Sequence, residues 1–222
     1  MWTNNQHRVP GHDDRQILNR HFTHDPKSDE LTVIIAGFGY TIESPFLFYS
    51  KHVPFGHGSD VLTVDLQYSL NRKFLAASQE ERDGWFREDS EAIARTVAGL
   101  AYQRLSFIGK SLGTTIVYGM LQQPTFLERT RRVVWLTPGQ LHAEIEELML
   151  TSSLPSLAVY GERDRLAQNT EFEALRSRHN VELMIVPDAD HALETDDVFG
   201  SVSQLGEYVR RLDAFWSSIT SD

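Results

Sequence analysis

The chain has 222 residues, 41% of them hydrophobic and 23% charged, which is typical of a globular protein long enough to bury a core and excludes disorder, collagen-like repeats and a coiled coil. Its 21 Lys and Arg against 31 Asp and Glu give a formal net charge of −10, so nucleic acid and anionic membrane surfaces are poor candidate partners. The absence of cysteine excludes disulfides, thiolate zinc sites and a Cys nucleophile and suits a reducing compartment. With no apolar run long enough to span a bilayer and a polar N-terminus unlike a signal peptide, we expect a cytoplasmic protein.

Short apolar runs alternate with longer amphipathic stretches along the chain. Continuous runs of this length are typical of strands that are covered on both faces, as in a parallel sheet. The predicted strands are Leu31–Ala36, Val61–Val64, Leu105–Ile108, Arg132–Leu136, Leu157–Tyr160 and Val181–Val186.

Helical periodicity lies between these runs and after the last one. Helices are predicted over Gln79–Leu100, after Ser111 as far as Pro124, and over His142–Leu150. The strongest periodic face is at the end of the chain, and it is formed by Leu205, Tyr208, Val209, Leu212, Phe215, Trp216 and Ile219.

This alternation predicts an α/β fold: a doubly wound, mostly parallel sheet flanked by helices. We find no repeat, linker or low-complexity segment, so residues 1–222 are expected to form one domain. Residues 1–30 are poorly defined by the pattern, apart from an antiparallel edge strand predicted over Gln16–Phe22.

The segment that indicates chemistry most clearly is Gly-Lys-Ser-Leu-Gly at 109–113. A predicted strand enters this G-x-S-x-G pattern and a predicted helix leaves it, which is the context of a nucleophile elbow with Ser111 at its tip. A plain glycine turn in another α/β fold is the simpler alternative. A phosphate-binding loop would need glycine at the position of Arg104, so the Gly-Lys-Ser tripeptide does not indicate nucleotide binding.

A serine nucleophile needs a histidine base and an orienting carboxylate, which follow it in the order Ser, acid, His in this arrangement. Of the histidines after Ser111, His142 opens a helix and His179 precedes the last predicted strand. His191 follows that strand, at the carboxyl end where ligands collect in open α/β sheets, and is the candidate base.

The candidate acid is Asp164, in the loop after the strand that precedes His179. Glu162, Asp188 and Asp190 are alternatives, because surface carboxylates are abundant in this chain. For the oxyanion hole we expect the backbone N–H of Leu112 and that of Phe38, or else of Gly39, since the flanking glycines let this loop turn towards Ser111.

Four blocks together resemble the α/β-hydrolase superfamily, in particular its small bacterial serine hydrolases without a cap domain. They are AGFGY at 36–40, GKSLGT at 109–114, YGERD at 160–164 and PDADHALE at 187–194, and the resemblance spans about residues 30–217. It implies that Asp164 and His191 complete a triad with Ser111. Two positions depart from the family pattern, because Ala36 stands where many members have His and Thr114 where many have a second Gly.

Thr137–Ser156 stands where the family usually carries a lid, and its single predicted helix excludes a large cap domain. The walls of the site are expected to come from aromatic residues that follow the first two predicted strands, namely Phe46, Phe48, Tyr49, Phe55 and Tyr68. Core packing is the alternative for the aromatics at 46–49.

The sequence therefore predicts a hydrolase that cleaves a small ester or thioester through an acyl-enzyme, with a small-molecule acyl substrate and no metal or organic cofactor. Two alternatives stay open. One is an acyltransferase or cofactor-free perhydrolase that uses the same triad. The other is a non-catalytic ligand-binding member, because the fold also hosts receptors and scaffolds.

Overall fold

The computed structural model describes residues 1–218 of the chain. These residues contain one sheet, whose strands are β1 (Trp2–Asn5), β2 (Leu18–His24), β3 (Glu30–Ile35), β4 (Asp60–Asp65), β5 (Arg104–Lys110), β6 (Thr130–Leu136), β7 (Ser156–Gly161) and β8 (Val181–Val186). The helices are α1 (Pro45–Ser50), α2 (His52–Gly56), α3 (Arg72–Ala76), α4 (Gln79–Gly99), α5 (Leu112–Leu121), α6 (Pro124–Leu127), α7 (His142–Thr151), α8 (Phe172–Arg176) and α9 (Val198–Ser218).

The sheet has the strand order β1-β2-β4-β3-β5-β6-β7-β8. All neighbours from β4 to β8 pair in parallel, whereas β1 and β2 are antiparallel to their neighbours. Every residue of β3, β4 and β7 is buried, which explains why these strands appear in the sequence as unbroken apolar runs. The predicted α/β fold and its six strands are confirmed.

Helices cover both faces of this sheet. On one face, α4, α5 and α7 contribute apolar side chains to a core that also contains Trp135 of β6 and Tyr160 of β7. On the other face, α1 and α9 pack together through residues such as Phe46 and Tyr208. The carboxyl ends of the parallel strands therefore open onto a single edge, between the two helical layers.

The two long helices follow the sequence prediction closely. Ser78 and Glu81 form a capping box at the start of α4: the Glu81 N–H donates to the Ser78 hydroxyl at 3.3 Å, and the Ser78 N–H donates to the Glu81 carboxylate at 2.7 Å. The last helix begins at Val198, before the predicted apolar face. Of that face Ile219 lies outside the described residues, and within residues 1–218 no helix is long and apolar enough to cross a membrane.

The N-terminal segment differs from its prediction. A strand does lie near Gln16–Phe22, at Leu18–His24, but it is not the edge strand, because β1 pairs with its outer side. The loop between β1 and β2 is held by the buried carboxylate of Asp89 on α4, which accepts hydrogen bonds from the His12 N–H at 2.7 Å and from Arg15 at 2.5 Å. Asp89 also accepts from the Tyr68 hydroxyl at 2.7 Å and so joins three segments of the chain.

Candidate active site

Ser111 lies at the sharp turn between β5 and α5. Its φ of 51° and ψ of −116° lie outside the regions that L-residues ordinarily adopt. A Cβ on Gly109 would lie 2.8 Å from the Cα of Thr114. A Cβ on Gly113 would lie 2.2 Å from the carbonyl oxygen of Ile35. Close packing of the turn therefore requires both glycines that flank the serine.

A continuous chain of hydrogen bonds joins the three predicted side chains. The Ser111 Oγ lies 2.7 Å from Nε2 of His191, and Nδ1 of His191 lies 2.7 Å from Oδ2 of Asp164. Asp164 follows β7 and His191 follows β8, so both reach the carboxyl edge of the sheet where β5 delivers Ser111. With a proton on Nδ1, the imidazole donates to the carboxylate and its Nε2 accepts from the serine hydroxyl.

The surroundings of Asp164 favour the ionised form of its carboxyl group. Its side chain is almost fully buried, and burial alone would raise the pKa of the carboxyl. The hydrogen bonds from His191 and from the Leu166 N–H, which donates to Oδ1 at 2.9 Å, lower that pKa below its ordinary value, as does the charge of Lys110. A buried carboxylate in this state can hold and stabilise a positively charged imidazole.

Two of the alternative acids, Glu162 and Asp190, accept hydrogen bonds away from His191. The Glu162 carboxylate accepts from the Asp188 N–H at 3.0 Å. The Asp190 carboxylate accepts from the N–H of Ala192 at 2.8 Å and closes a turn of its own loop. Within residues 1–218, Asp164 is the acid that contacts His191.

Leu112 and Phe38, the two residues predicted to donate N–H groups, line the same cavity as Ser111. Leu112 is the first residue of α5, so its N–H has no acceptor within the helix. The loop that carries Phe38 packs against the elbow, since a Cβ on Gly37 would lie 3.2 Å from the Cβ of Ser111. Phe38 N–H donates no hydrogen bond within the described chain, which leaves this group available to an oxyanion.

Lys110 was not identified in the sequence as a site residue. Its side chain is 1% exposed, and its ammonium donates to the Thr137 hydroxyl and, at 2.5 Å, to the backbone carbonyl of His191. Burial lowers the pKa of Lys110 to about 7, although the carboxylates of Asp164 and Asp190 act in the opposite direction. The sequence did contain a signal for this residue, because a lysine at the end of an apolar strand, inside the elbow, needs buried polar partners.

Gly139 is a second residue that the sequence analysis missed. A Cβ at this position would lie 3.3 Å from the Ser111 Oγ, so the absence of a side chain keeps the approach to the hydroxyl open. The signal was the Pro-Gly pair in the loop after β6, at the same edge of the sheet. The segment that follows carries only α7, which confirms the prediction that a large cap domain is absent there.

A cavity of about 250 Å³ opens beside Ser111, and none of the five aromatic residues considered for its walls lines it. Phe46 and Tyr68 belong to the core, and Phe55 lines a separate cavity by Trp2. The walls come instead from the loop after β3, from α3 and α4, and from the loops after β6 and β7. The lining residues are Phe38, Phe74, Gln79, Arg82, Asp83, Phe86, Leu112, Gly139, Gln140 and Leu166.

The apolar wall of this cavity is held in place by its surroundings. Phe74 stacks on the buried Tyr68, with ring centroids 4.1 Å apart and nearly parallel planes. The Arg82 Nε donates to the Phe74 carbonyl at 3.0 Å. The described residues contain no cluster of three or more His, Asp or Glu side chains that could hold a metal ion. The expectation that the protein needs no cofactor stays a prediction.

Comparisons with known proteins agree with this architecture. A family model described as an alpha/beta hydrolase domain matches residues 29–213. A comparison with curated proteins gave no match.

Several solved structures share the fold at low sequence identity. A predicted CIB-like hydrolase from Thermoplasma acidophilum has a TM-score of 0.68 and 15% identity, over 98% of this chain and 99% of that one. A dienelactone hydrolase from Anabaena variabilis has a TM-score of 0.67 and 15% identity, over 99% of both chains. Est1E from Butyrivibrio proteoclasticus, with ferulic acid bound, has a TM-score of 0.65 and 13% identity, over 95% of this chain and 98% of that one. At these identities the likeness establishes the fold alone.

Proposed function

Because the chain belongs to the α/β-hydrolase family, we propose that it is a serine hydrolase that cleaves the ester or thioester bond of a small-molecule acyl substrate. The observation that carries the proposal is the pair of 2.7 Å hydrogen bonds from Ser111 through His191 to Asp164. The cavity beside Ser111, with its largely apolar walls, supports a small organic substrate.

In the first half of the reaction the Ser111 Oγ attacks the substrate carbonyl carbon. The hydroxyl proton passes to Nε2 of His191, and the carbonyl oxygen becomes an oxyanion. Collapse of this tetrahedral intermediate breaks the bond to the leaving alcohol or thiol. The leaving group takes the proton from His191, and the acyl group stays on Ser111.

The oxyanion is stabilised by the N–H groups of Leu112 and Phe38. Preorganised donors of this kind each contribute roughly 10²–10³-fold to kcat in enzymes where one has been removed. The N-terminus of α5 adds a favourable dipole at the same point.

In the second half, water attacks the acyl carbon while Nε2 of His191 accepts its proton. The second tetrahedral intermediate then collapses: the bond between the acyl carbon and the Ser111 Oγ breaks, the carboxylic acid leaves, and His191 returns the proton to the Ser111 Oγ. Asp164 keeps the imidazole in the tautomer that both halves need and offsets its positive charge.

The test is a panel of p-nitrophenyl esters and acyl thioesters, assayed with the wild type and with Ser111→Ala. The wild type should release the acid, and Ser111→Ala should lower kcat by roughly 10⁴–10⁶-fold. The matched control is Ser177→Ala, because this exposed hydroxyl donates to the carbonyl of Ala174 and should be dispensable. Equal activity in Ser111→Ala, or transfer of the acyl group to added alcohol or peroxide faster than to water, would contradict hydrolysis by this route.

A further inference from the structure

A groove runs along the surface between α4 and α5 and continues the cavity beside Ser111. It encloses about 470 Å³, and it shares Asp83, Phe86 and Gln140 with the cavity. An occupant of the groove that also fills the shared region therefore reaches Ser111.

The floor and the rim of the groove differ in polarity. Ala94, Ile116 and Met120 form a buried apolar floor, to which Phe86 and Leu141 add at the sides. The rim carries charges of both signs, among them Arg87 and Glu91. An apolar floor under a mixed rim favours an uncharged hydrocarbon chain over an anionic or cationic ligand.

A hydrogen bond holds the loop that separates the cavity from the groove. Gln140 lies at this boundary, and its backbone carbonyl accepts a hydrogen bond of 2.9 Å from the hydroxyl of Thr115 on α5. The loop after β6 is thereby fixed to the groove wall, at a residue that the cavity and the groove share.

The position of His191 indicates which part of the substrate enters the cavity and the groove. In the proposed reaction His191 protonates the leaving group, which must therefore lie beside the imidazole. His191 lines neither the cavity nor the groove. The substituent that points into them is the other one on the carbonyl carbon, the acyl chain.

We propose that the groove between α4 and α5 is an acyl-chain site and that the substrates are esters or thioesters of straight-chain, medium-length fatty acids. This inference rests on the proposed function. An α-helix rises about 1.5 Å per residue, so Gly119 lies about 12 Å along α5 from Ser111. With carbon–carbon bonds of about 1.5 Å, an extended chain of roughly eight to ten carbons covers that distance.

The first experiment measures kcat/KM for p-nitrophenyl acetate, butyrate, octanoate and decanoate, each below its micelle concentration. Full burial of a methylene corresponds to about fourfold in binding, and a groove open on one side should give about twofold. We expect kcat/KM to rise on the order of 10- to 100-fold from butyrate to decanoate.

Two variants block the groove from opposite walls. A Cβ on Gly119 of α5 meets nothing within 4 Å, so Gly119→Trp fits the fold and fills the groove. Ser90→Trp enters from α4. Each should lower the ratio of decanoate to acetate kcat/KM at least tenfold. The matched control is Gly99→Trp at the end of α4, where a Cβ also meets nothing within 4 Å and where the ratio should stay at its wild-type value.

The outcomes separate this inference from the proposed function. If acetate is hydrolysed in a Ser111-dependent manner but kcat/KM is flat or falls beyond butyrate, the acyl-chain site is refuted and the hydrolase survives. An unchanged decanoate-to-acetate ratio in both tryptophan variants refutes it equally. If no ester of any length is hydrolysed through Ser111, the proposed function fails and the acyl-chain site fails with it.

Discussion

The ammonium of Lys110 donates a hydrogen bond of 2.5 Å to the backbone carbonyl of His191. The hydroxyl of Thr137 lies 3.1 Å from the same carbonyl oxygen and also donates to it. The residue directly before the candidate nucleophile thus fixes the loop that carries the candidate base. These contacts tie the ends of β5 and β6 to the loop after β8.

The buried lysine predicts an unusual dependence of stability on pH. Burial lowers the pKa of Lys110 from 10.5 to about 7, so between these values the unfolded chain binds more protons than the folded one. The free energy of unfolding should therefore rise with pH over this window, by up to about 1.4 kcal/mol per unit. Well below pH 7, where Lys110 is protonated in both states, it should add no pH dependence. Lys110→Met removes this contribution.

Urea unfolding of the wild type and of Lys110→Met at pH 6, 7, 8 and 9 measures the effect. The difference in unfolding free energy should grow by on the order of 2 kcal/mol from pH 7 to 9 in favour of the wild type. Lys73→Met, at a side chain that is 80% exposed, is the control and should give a constant difference. A difference that is constant or shrinks with pH for Lys110→Met contradicts the lowered pKa.

The assignment of the acid predicts a ranking of four variants. Asp164→Asn should keep the fold but favour the wrong tautomer of His191, which costs on the order of 10⁴-fold in kcat. Glu162→Gln, Asp188→Asn and Asp190→Asn should have small effects, because none of these carboxylates contacts the imidazole in the described chain. One chromogenic ester serves for all four, with circular dichroism as the folding control. An active Asp164→Asn beside an inactive variant from the other three would move the acid elsewhere.

Two glycines of the same helix predict opposite effects on stability. A Cβ on Gly113 would lie 2.2 Å from the Ile35 carbonyl, so Gly113→Ala should displace β3 from α5 and destabilise the fold by about 3 kcal/mol or more. Gly119→Ala meets open space in α5 and should stabilise by about 0.5–1 kcal/mol. Thermal and urea unfolding of both variants give the comparison. Equal effects would show that the close approach at the elbow does not constrain the sequence.

The sequence predicts the central sheet well for a physical reason. Strands such as β3 and β7 are buried on both faces, so each is a continuous apolar run that ends in turn residues. It does not predict β1, whose four polar or exposed residues form an edge with no buried face and hence no pattern. Without knowledge of β1, the strand near Gln16–Phe22 is assigned to the edge.

The site, like the sheet, has a part that the sequence predicts and a part that it does not. The order of strands and loops is enough to expect Ser111, Asp164 and His191 at one edge of the sheet, and the structure has them within hydrogen-bonding distance; their catalytic roles stay predictions. The cavity walls could not be predicted, because they depend on how helices far apart in the chain pack. Phe46 follows the first predicted strand but packs on Tyr208 of α9, whereas Phe86 of α4 lines the cavity.

The most direct test of the central claim is labelling with a fluorophosphonate, which reacts with an activated serine hydroxyl and traps it. The modified residue is then identified by peptide mass spectrometry. The wild type should carry one label, on Ser111, and labelling should be slowed strongly in His191→Ala and abolished in Ser111→Ala. Labelling of a different residue, or undiminished labelling of Ser111→Ala, would contradict the assignment of Ser111 as the nucleophile.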